Sequence, residues 1–396
     1  MKERPAIEGG QPVRRSLLPF HRPLLGRQEE AAVLAVLRSG WLTRGEKTTE
    51  LETRLKQYTG AGYVLALNSC TAALELSLVL AGIGPDDEVI VPAMTFVATA
   101  NVVAHRFARP ILVDVQPDTL NIDPQAVEAA LTPRTRALIP VDLAGHPADM
   151  AELRALADRH HLVMIEDAAH ALEARYHGNG IGALADYACL SFYANKNITT
   201  GEGGALLMKD DPDGRAATLS LHGLSRHAWS RFGANGFSHY DVTEAGYKWN
   251  MFDLQAALGL AQMDRLEKMH HLRLQRVRRY VERLQGHAGL ELPRTRPNVE
   301  HAWHLFMVKL NLERLRVDRD HVLKALRAEG IGAVVHYRPL PQLAYYRRLG
   351  FDPAAFPVAD AAGNRLLSLP LFPAMSLAEV DDAVTALNRI LDFYQT

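Results

Sequence analysis

Three short stretches of this chain place reactive or anion-binding groups directly after runs that read as β-strands. Asn68-Ser69-Cys70-Thr71 follows the apolar run Tyr63–Leu67 and leads into a helix-like stretch. A strand-to-helix turn of small polar residues exposes free backbone N–H groups, and the Ser69 and Thr71 hydroxyls add donors, so the turn suits an anion. It suits equally a plain helix cap made by Ser69. The run Leu162–Ile165 continues into Glu166 and Asp167, with His170 three residues further on. An acid at the carboxyl end of a buried strand lies in the crevice where open α/β sheets bind ligands. His170, one turn on, could face the same crevice, and a capping Asp with an incidental His is the competing reading. Lys196 follows in SFYANKNITTGEGG (191–204), again at a strand end.

An anion cradle, a carboxylate and an amine at converging strand ends are the parts that pyridoxal 5'-phosphate requires. Its phosphate takes N–H and hydroxyl donors, its ring nitrogen takes a carboxylate, and its aldehyde takes a lysine. Phe96, after the run Glu88–Pro92, offers an aromatic face to the ring. Other chemistries fit less well. No GxxxxGK[ST] is present, and GEGG at 201–204 does not have the GxGxxG spacing, so its glycines read as a tight turn. No metal site is expected: the acids and histidines form no tight three-ligand set, and the His301/His304 pair in HAWH is expected on a strand, with opposite facing.

The elements that must position these groups follow from periodicity. Strand candidates are Tyr63–Leu67, Glu88–Pro92, Arg109–Val113, Ala137–Val141, Leu162–Ile165, Ala188–Phe192 and Ala205–Met208, alternating with amphipathic stretches such as Pro124–Leu131 and Asp149–His160. Such alternation predicts an α/β fold with a mainly parallel sheet covered by helices. From Asp264 the spacing of apolar residues predicts one long amphipathic helix to 284. Its seven Lys and Arg residues, balanced by three acids, read as a solvated face. Strand-like pieces at Ala302–Leu310 and Ala333–His336 and a helix at Leu377–Tyr394 follow. The expected division is a flexible tail over 1–15, a large domain over 16–267 and a smaller α+β domain over 268–396.

Composition narrows the setting. The 396 residues carry 44 Lys plus Arg against 45 Asp plus Glu, a net charge of −1 that draws neither nucleic acid nor an anionic membrane. Two cysteines, Cys70 and Cys189, exclude a disulfide framework and read as buried free thiols. The N-terminal stretch lacks a signal-peptide core, and the uncharged run Val89–Ala104 is too short to span a bilayer, so a cytoplasmic protein is expected.

Seven blocks together resemble the nucleotide-sugar aminotransferases of the DegT/DnrJ/StrS family: SGWLTRG (39–45), NSCTAALELSL (68–78), DEVIVPAMTFVATANVV (87–103), IEDAAHALEA (165–174), SFYANKNITTGEGG (191–204), GYKWNMFDLQAALGLAQ (246–262) and HYRPLPQLAYYRRLG (336–350). They run in family order and cover the chain from Pro19 nearly to its end. The resemblance implies the PLP-dependent transferase fold type I, with a mainly parallel seven-stranded sheet in the large domain. It implies Lys196 as the covalent attachment point of the cofactor, Asp167 on the pyridine nitrogen, His170 near the ring oxygen O3', and Phe96 stacked on the ring. Ser69, Cys70, Thr71 and Ser191 would hold the phosphate. Trp41 and Thr43 would face the sugar, His336 would border the cleft, and Arg226, Trp229 and Arg231 would meet a diphosphate and base. Asn250 would reach the site of the other subunit of a homodimer.

Departures from the family pattern are Cys70, where many relatives carry Gly, His170, where many carry Gln, and GYKWN in place of GYNYR. Dehydratase relatives replace the lysine with His, so Lys196 favours transamination. The activity implied is transfer of an amino group from an amino acid, L-glutamate, to a nucleotide-linked keto-sugar, with the cofactor cycling through pyridoxamine 5'-phosphate. Amination of a cyclitol ketone and a non-catalytic sensor that binds pyridoxal phosphate are the alternatives.

Overall fold

The computed structural model describes residues 3–224 and 240–396. Seven strands form the central sheet: β1 Tyr63–Leu67, β2 Glu88–Pro92, β3 Arg109–Val113, β4 Thr135–Leu138, β5 Val163–Asp167, β6 Tyr187–Ser191 and β7 Gly204–Met208. Their spatial order is β1-β7-β6-β5-β4-β2-β3. β7 runs antiparallel to both of its neighbours, and every other pairing is parallel. Burial explains why these runs are continuous rather than alternating: β2 and β7 are buried at all five positions, as expected for strands covered on both faces.

Six strands therefore point their carboxyl ends to one edge; helices make the crossovers as far as β5, whereas residues 168–186 join β5 to β6 without one. The helix Cys70–Leu80 returns from β1, capped by Ser69, whose Oγ accepts the Ala72 N–H at 3.1 Å. The helix Ala98–His105 returns from β2 and Met150–His160 packs between β4 and β5 in sequence. β7 enters from the opposite direction, so its first residue, Gly204, lies opposite both Leu67 and Ser191. A Cβ at Gly204 would stand 2.4 Å from the Cys70 nitrogen and 2.4 Å from the Ser69 carbonyl carbon. Gly204 is there because two backbones nearly touch. The turn itself uses Gly201 and Gly203, with φ of +80° and +158°.

A second sheet of three antiparallel strands, Leu290–Glu291, Phe306–Leu310 and Leu366–Leu369, has its own apolar core against the helices Leu266–Leu284, Arg319–Ala328 and Leu377–Tyr394. Three sequence expectations change here. His301–Leu305 is not strand, because the strand begins at Phe306, and Val334 makes a single bridge to Ser368 in place of a strand at 333–336. The long helix is not simply solvated on its basic face. Arg273 is 1% exposed, with Nη1 donating to the Leu371 carbonyl at 3.2 Å, and the buried Arg276 donates from Nε to the Met375 carbonyl at 2.8 Å. Finally, residues 3–15 lie against the C-terminal helices. The N–H groups of Ala6 and Val13 both donate to the Glu329 carboxylate at 2.8 Å, and Arg14 pairs with Asp382. No helix among the described residues is long and apolar enough to cross a membrane.

Candidate active site

At the carboxyl edge of the sheet a cavity of about 450 Å³ opens between β1, β2, β5 and β6. Asp167 ends β5 with its side chain buried at the cavity wall. Its Oδ2 accepts from Thr99 Oγ1 at 2.8 Å and its Oδ1 from the Ala169 N–H at 3.2 Å, while Cys70 Sγ lies 4.0 Å from Oδ1. Burial raises the Asp167 pKa, and the Thr99 and Ala169 donors, with the charge of Lys196, pull it back. Thr99 takes a further contact at 2.8 Å from Thr95 Oγ1. Because Thr99 gives its proton to the carboxylate, Thr95 must donate to Thr99, and the two hydroxyls form an ordered chain ending on Asp167.

Lys196 faces the same cavity from the loop after β6, its backbone N–H on the Tyr193 carbonyl at 2.9 Å. Burial lowers its amine to a pKa of about 8 against the restoring influence of Cys70 and Asp167. At pH 7 about a tenth of such an amine is uncharged and nucleophilic, whereas an ordinary lysine is almost wholly protonated.

His170 is buried, and that burial, with the charges of Lys196 and His336, holds its pKa well below the usual value. The imidazole is therefore neutral. Its Nδ1 accepts the Ala144 N–H at 3.2 Å, so the proton sits on Nε2, which lies 3.2 Å from the Tyr337 hydroxyl. The His304 ring packs against the other side, 4.4 Å between centroids. Phe96 is 54% exposed, with its ring 5.8 Å from that of Tyr337. His336 lines the cavity too. Its Nδ1 is 3.0 Å from Ser368 Oγ, and burial lowers its pKa to about 4.

The structure thus gathers Ser69, Cys70, Thr71, Phe96, Asp167, His170, Ser191, Lys196 and His336 around one cavity. Trp41, Thr43 and Asn250 stand outside it. Trp41 is half-exposed and donates from Nε1 to the Arg44 carbonyl, the Thr43 carbonyl accepts from Asp253, and Asn250 accepts from Lys248 beside the end of β1. Arg226, Trp229 and Arg231 lie outside the described residues. Thr95, Thr99, Asn195, Glu202 and Tyr337 were not singled out from sequence. Thr99 had a faint signal, one helical turn beyond Thr95 in a stretch of otherwise small and apolar residues. Tyr337 had none beyond its neighbour His336.

The family model of the DegT/DnrJ/EryC1/StrS aminotransferases matches residues 23–388. This chain belongs to that family. It is 43% identical over 381 residues to the spore coat polysaccharide biosynthesis protein SpsC of Bacillus subtilis, covering 96% of this chain and 98% of that one. Spr1654 of Streptococcus pneumoniae, solved in PLP, PMP and apo forms, superposes in its PLP form with a TM-score of 0.89 at 36% identity, over 95% of this chain and 99% of that one. PseC of Helicobacter pylori, an aminotransferase involved in the biosynthesis of pseudoaminic acid, gives a TM-score of 0.89 at 26% identity, over 96% and 100%.

The aminotransferase site fits pyridoxal phosphate at each point of its chemistry. The first N–H groups of the helix Cys70–Leu80, with the Ser69, Thr71 and Ser191 hydroxyls nearby, match a phosphate. Ser69, Cys70 and Thr71, at that helix end, line the cavity. The buried Asp167, fed by donors that favour its charged form, matches a protonated ring nitrogen. Lys196, with its lowered pKa, matches an aldehyde.

Proposed function

We propose that this aminotransferase moves an amino group from an amino acid, L-glutamate, to the ketone of a nucleotide-linked sugar. The observation that carries the reading is that a partly neutral lysine and a hydrogen-bonded buried carboxylate face one cavity beside an open helix N-terminus. The sugar class draws on the roles of SpsC in spore coat polysaccharide biosynthesis and of PseC in pseudoaminic acid biosynthesis. When bound, pyridoxal phosphate supplies an aldehyde to accept the amino group and a ring to take up electrons.

The chain's own residues do the rest. Lys196 Nζ takes the proton from the donor's Cα as general base and later returns one to the acceptor carbon. Asp167 stays ionised through the Thr99 and Ala169 donors and holds a positive charge on the ring nitrogen. Neutral His170 carries its proton on Nε2, where it donates to the Tyr337 hydroxyl at the cavity wall. Burial of Asp167 and His170, with Lys196 half-buried beside them, limits water and strengthens their fields. In this reading the enzyme works as a homodimer in the cytoplasm, with Trp41, Thr43 and Asn250 serving the subunit boundary and the sugar.

The purified protein, supplied with pyridoxal phosphate and glutamate, is expected to aminate nucleotide-linked keto-sugars, read by mass spectrometry of the product. Turnover of a free cyclitol ketone with none of the nucleotide sugar would replace the acceptor. Full turnover by Lys196→Ala would overturn the assignment.

A further inference from the structure

Directly behind Lys196 lies a buried polar layer that the proposed chemistry does not use. Asn197, Glu173 and His304 are 7%, 4% and 4% exposed. Asn197 Nδ2 donates to Glu173 Oε2 at 2.8 Å and to the Ala302 carbonyl at 3.0 Å. Its Oδ1 lies 3.3 Å from His304 Nδ1. Both amide hydrogens are spent, so Oδ1 is an acceptor and His304 must carry its proton on Nδ1. One amide group therefore satisfies three partners from two other parts of the chain, and His304 in turn packs on the ring of His170.

The loop that carries Lys196 otherwise holds its own shape through local bonds. Lys196 N–H donates to Tyr193, Thr200 N–H to Phe192, Thr199 Oγ1 to Phe192, and Gly201 N–H to Thr199 Oγ1. Those bonds fix the form of the loop. The pairing of β5 with β6, where Asp167 lies opposite Cys189, anchors the start of the loop. The Asn197 side chain ties the Lys196 segment itself to Glu173, in the same stretch as Asp167 and His170.

We infer that Asn197, acting through Glu173 and His304, is the positioning residue that holds the Lys196 amine against the Asp167–His170 wall. This rests on the reading of Lys196 as the amine that captures pyridoxal phosphate. Glu173 is faced by Asn197, Arg273 and His270, with Oε1 and two nitrogens of Arg273 left without partners, so the layer has polar capacity beyond what the Asn197 bonds require.

The test follows uptake of pyridoxal phosphate by the apo-protein, using absorbance, borohydride trapping and peptide mass spectrometry at Lys196. In folded Asn197→Ala the capture rate near neutral pH is expected to fall about tenfold, and the midpoint of its pH dependence to rise by about one unit as the amine loses its buried seat. Glu173→Ala removes one of the Asn197 bonds and is expected to shift the rate and midpoint in the same direction by less, and the double variant to be no slower than Asn197→Ala, where that bond is already absent. Glu173→Gln keeps an acceptor for Asn197 and is expected to stay within about twofold of wild type. If Asn197→Ala does not fold, the contrast between Glu173→Ala and Glu173→Gln decides. Folded variants with the wild-type rate and pH midpoint, additive losses in the double variant, or equal losses in Glu173→Gln and Glu173→Ala would each overturn the inference. Wild-type protein that captures no pyridoxal phosphate at Lys196 overturns instead the reading on which it rests.

Discussion

Replacing Thr99 by Val removes one hydroxyl from beneath Asp167 and leaves the shape of the side chain nearly unchanged. The lost interaction is the 2.8 Å donation to Oδ2. A hydrogen bond to a charged group contributes about 1.5–3 kcal/mol. At about 1.4 kcal/mol per pKa unit, its loss raises the Asp167 pKa by about 1–2 units. The sign is unambiguous. Burial already holds that pKa above its ordinary value, and Thr99 is the first of the influences that oppose it. In the proposed function the ionised form is the one that binds a protonated ring nitrogen, so cofactor affinity and the proposed glutamate half-reaction are lost on the acid side. In Thr99→Val that acid limb moves to higher pH. The assay is an absorbance titration of pyridoxal phosphate binding across the pH range, alongside single-turnover loss of the cofactor band on adding glutamate. Thr95→Val is the control: it removes a donor to Thr99 rather than to Asp167, so its limb moves by less than about half a unit. A folded Thr99→Val protein whose acid limb matches wild type to within a few tenths of a unit would refute the argument.

Three further outcomes are expected. Gly204→Ala forces a Cβ to within 2.4 Å of the Cys70 nitrogen, and since both sides of that contact are backbone, the cost lies at or beyond the upper end of the about 1–3 kcal/mol typical of overpacking; urea denaturation measures it, and wild-type stability would contradict it. Tyr337→Phe deprives the buried His170 Nε2–H of its acceptor, which costs about 1–3 kcal/mol of stability while pyridoxal phosphate binding changes little; a tenfold loss of binding with unchanged stability would reverse these roles. Glu166, beside Asp167, is raised by burial from 4.5 to about 7. The folded protein therefore binds more protons than the unfolded chain between those values, and the stability that goes with the proton is lost as pH rises through about 7. Glu166→Gln keeps an oxygen for the Gly182 N–H and removes the charge, so its melting temperature relative to wild type should be more favourable near pH 8 than near pH 5. Equal differences at both pH values would exclude a protonated Glu166.

Much of this site is local and so was visible in the sequence. β1, β2 and β3 have the predicted bounds, and β4 to β7 differ by a few residues at their ends. Strands buried on both faces are continuous apolar runs, and each site residue predicted from residue type alone sits within a few positions of such a run. Asp167 ends its strand, and Ser69 caps the helix that follows β1 while also lining the cavity, so the two readings of that turn hold together. The errors have a different origin. HAWH was placed on a strand by composition, yet its histidines are buried in an irregular stretch where tertiary contacts with His170 and Asn197 set their place. The arginines of the long helix were assigned to water because charge usually goes there, but long side chains can carry a guanidinium to buried carbonyls of another segment.

What the sequence by itself determined is therefore the alternation of strands and helices and the family, and it offered the candidate amine and carboxylate, because each rests on short local segments, the family on seven of them in order. What the tertiary structure decided is which hydroxyl feeds Asp167, which nitrogen of His170 carries the proton, and which side chains surround Asn197 behind Lys196. Thr99 and Asp167 are 68 residues apart, His170 and Tyr337 167 apart, and Asn197 and His304 107 apart. No periodicity links such pairs. Their contacts exist because parallel strands bring distant loops to one edge of a sheet, where burial makes every unpaired polar atom costly and so selects a partner for it.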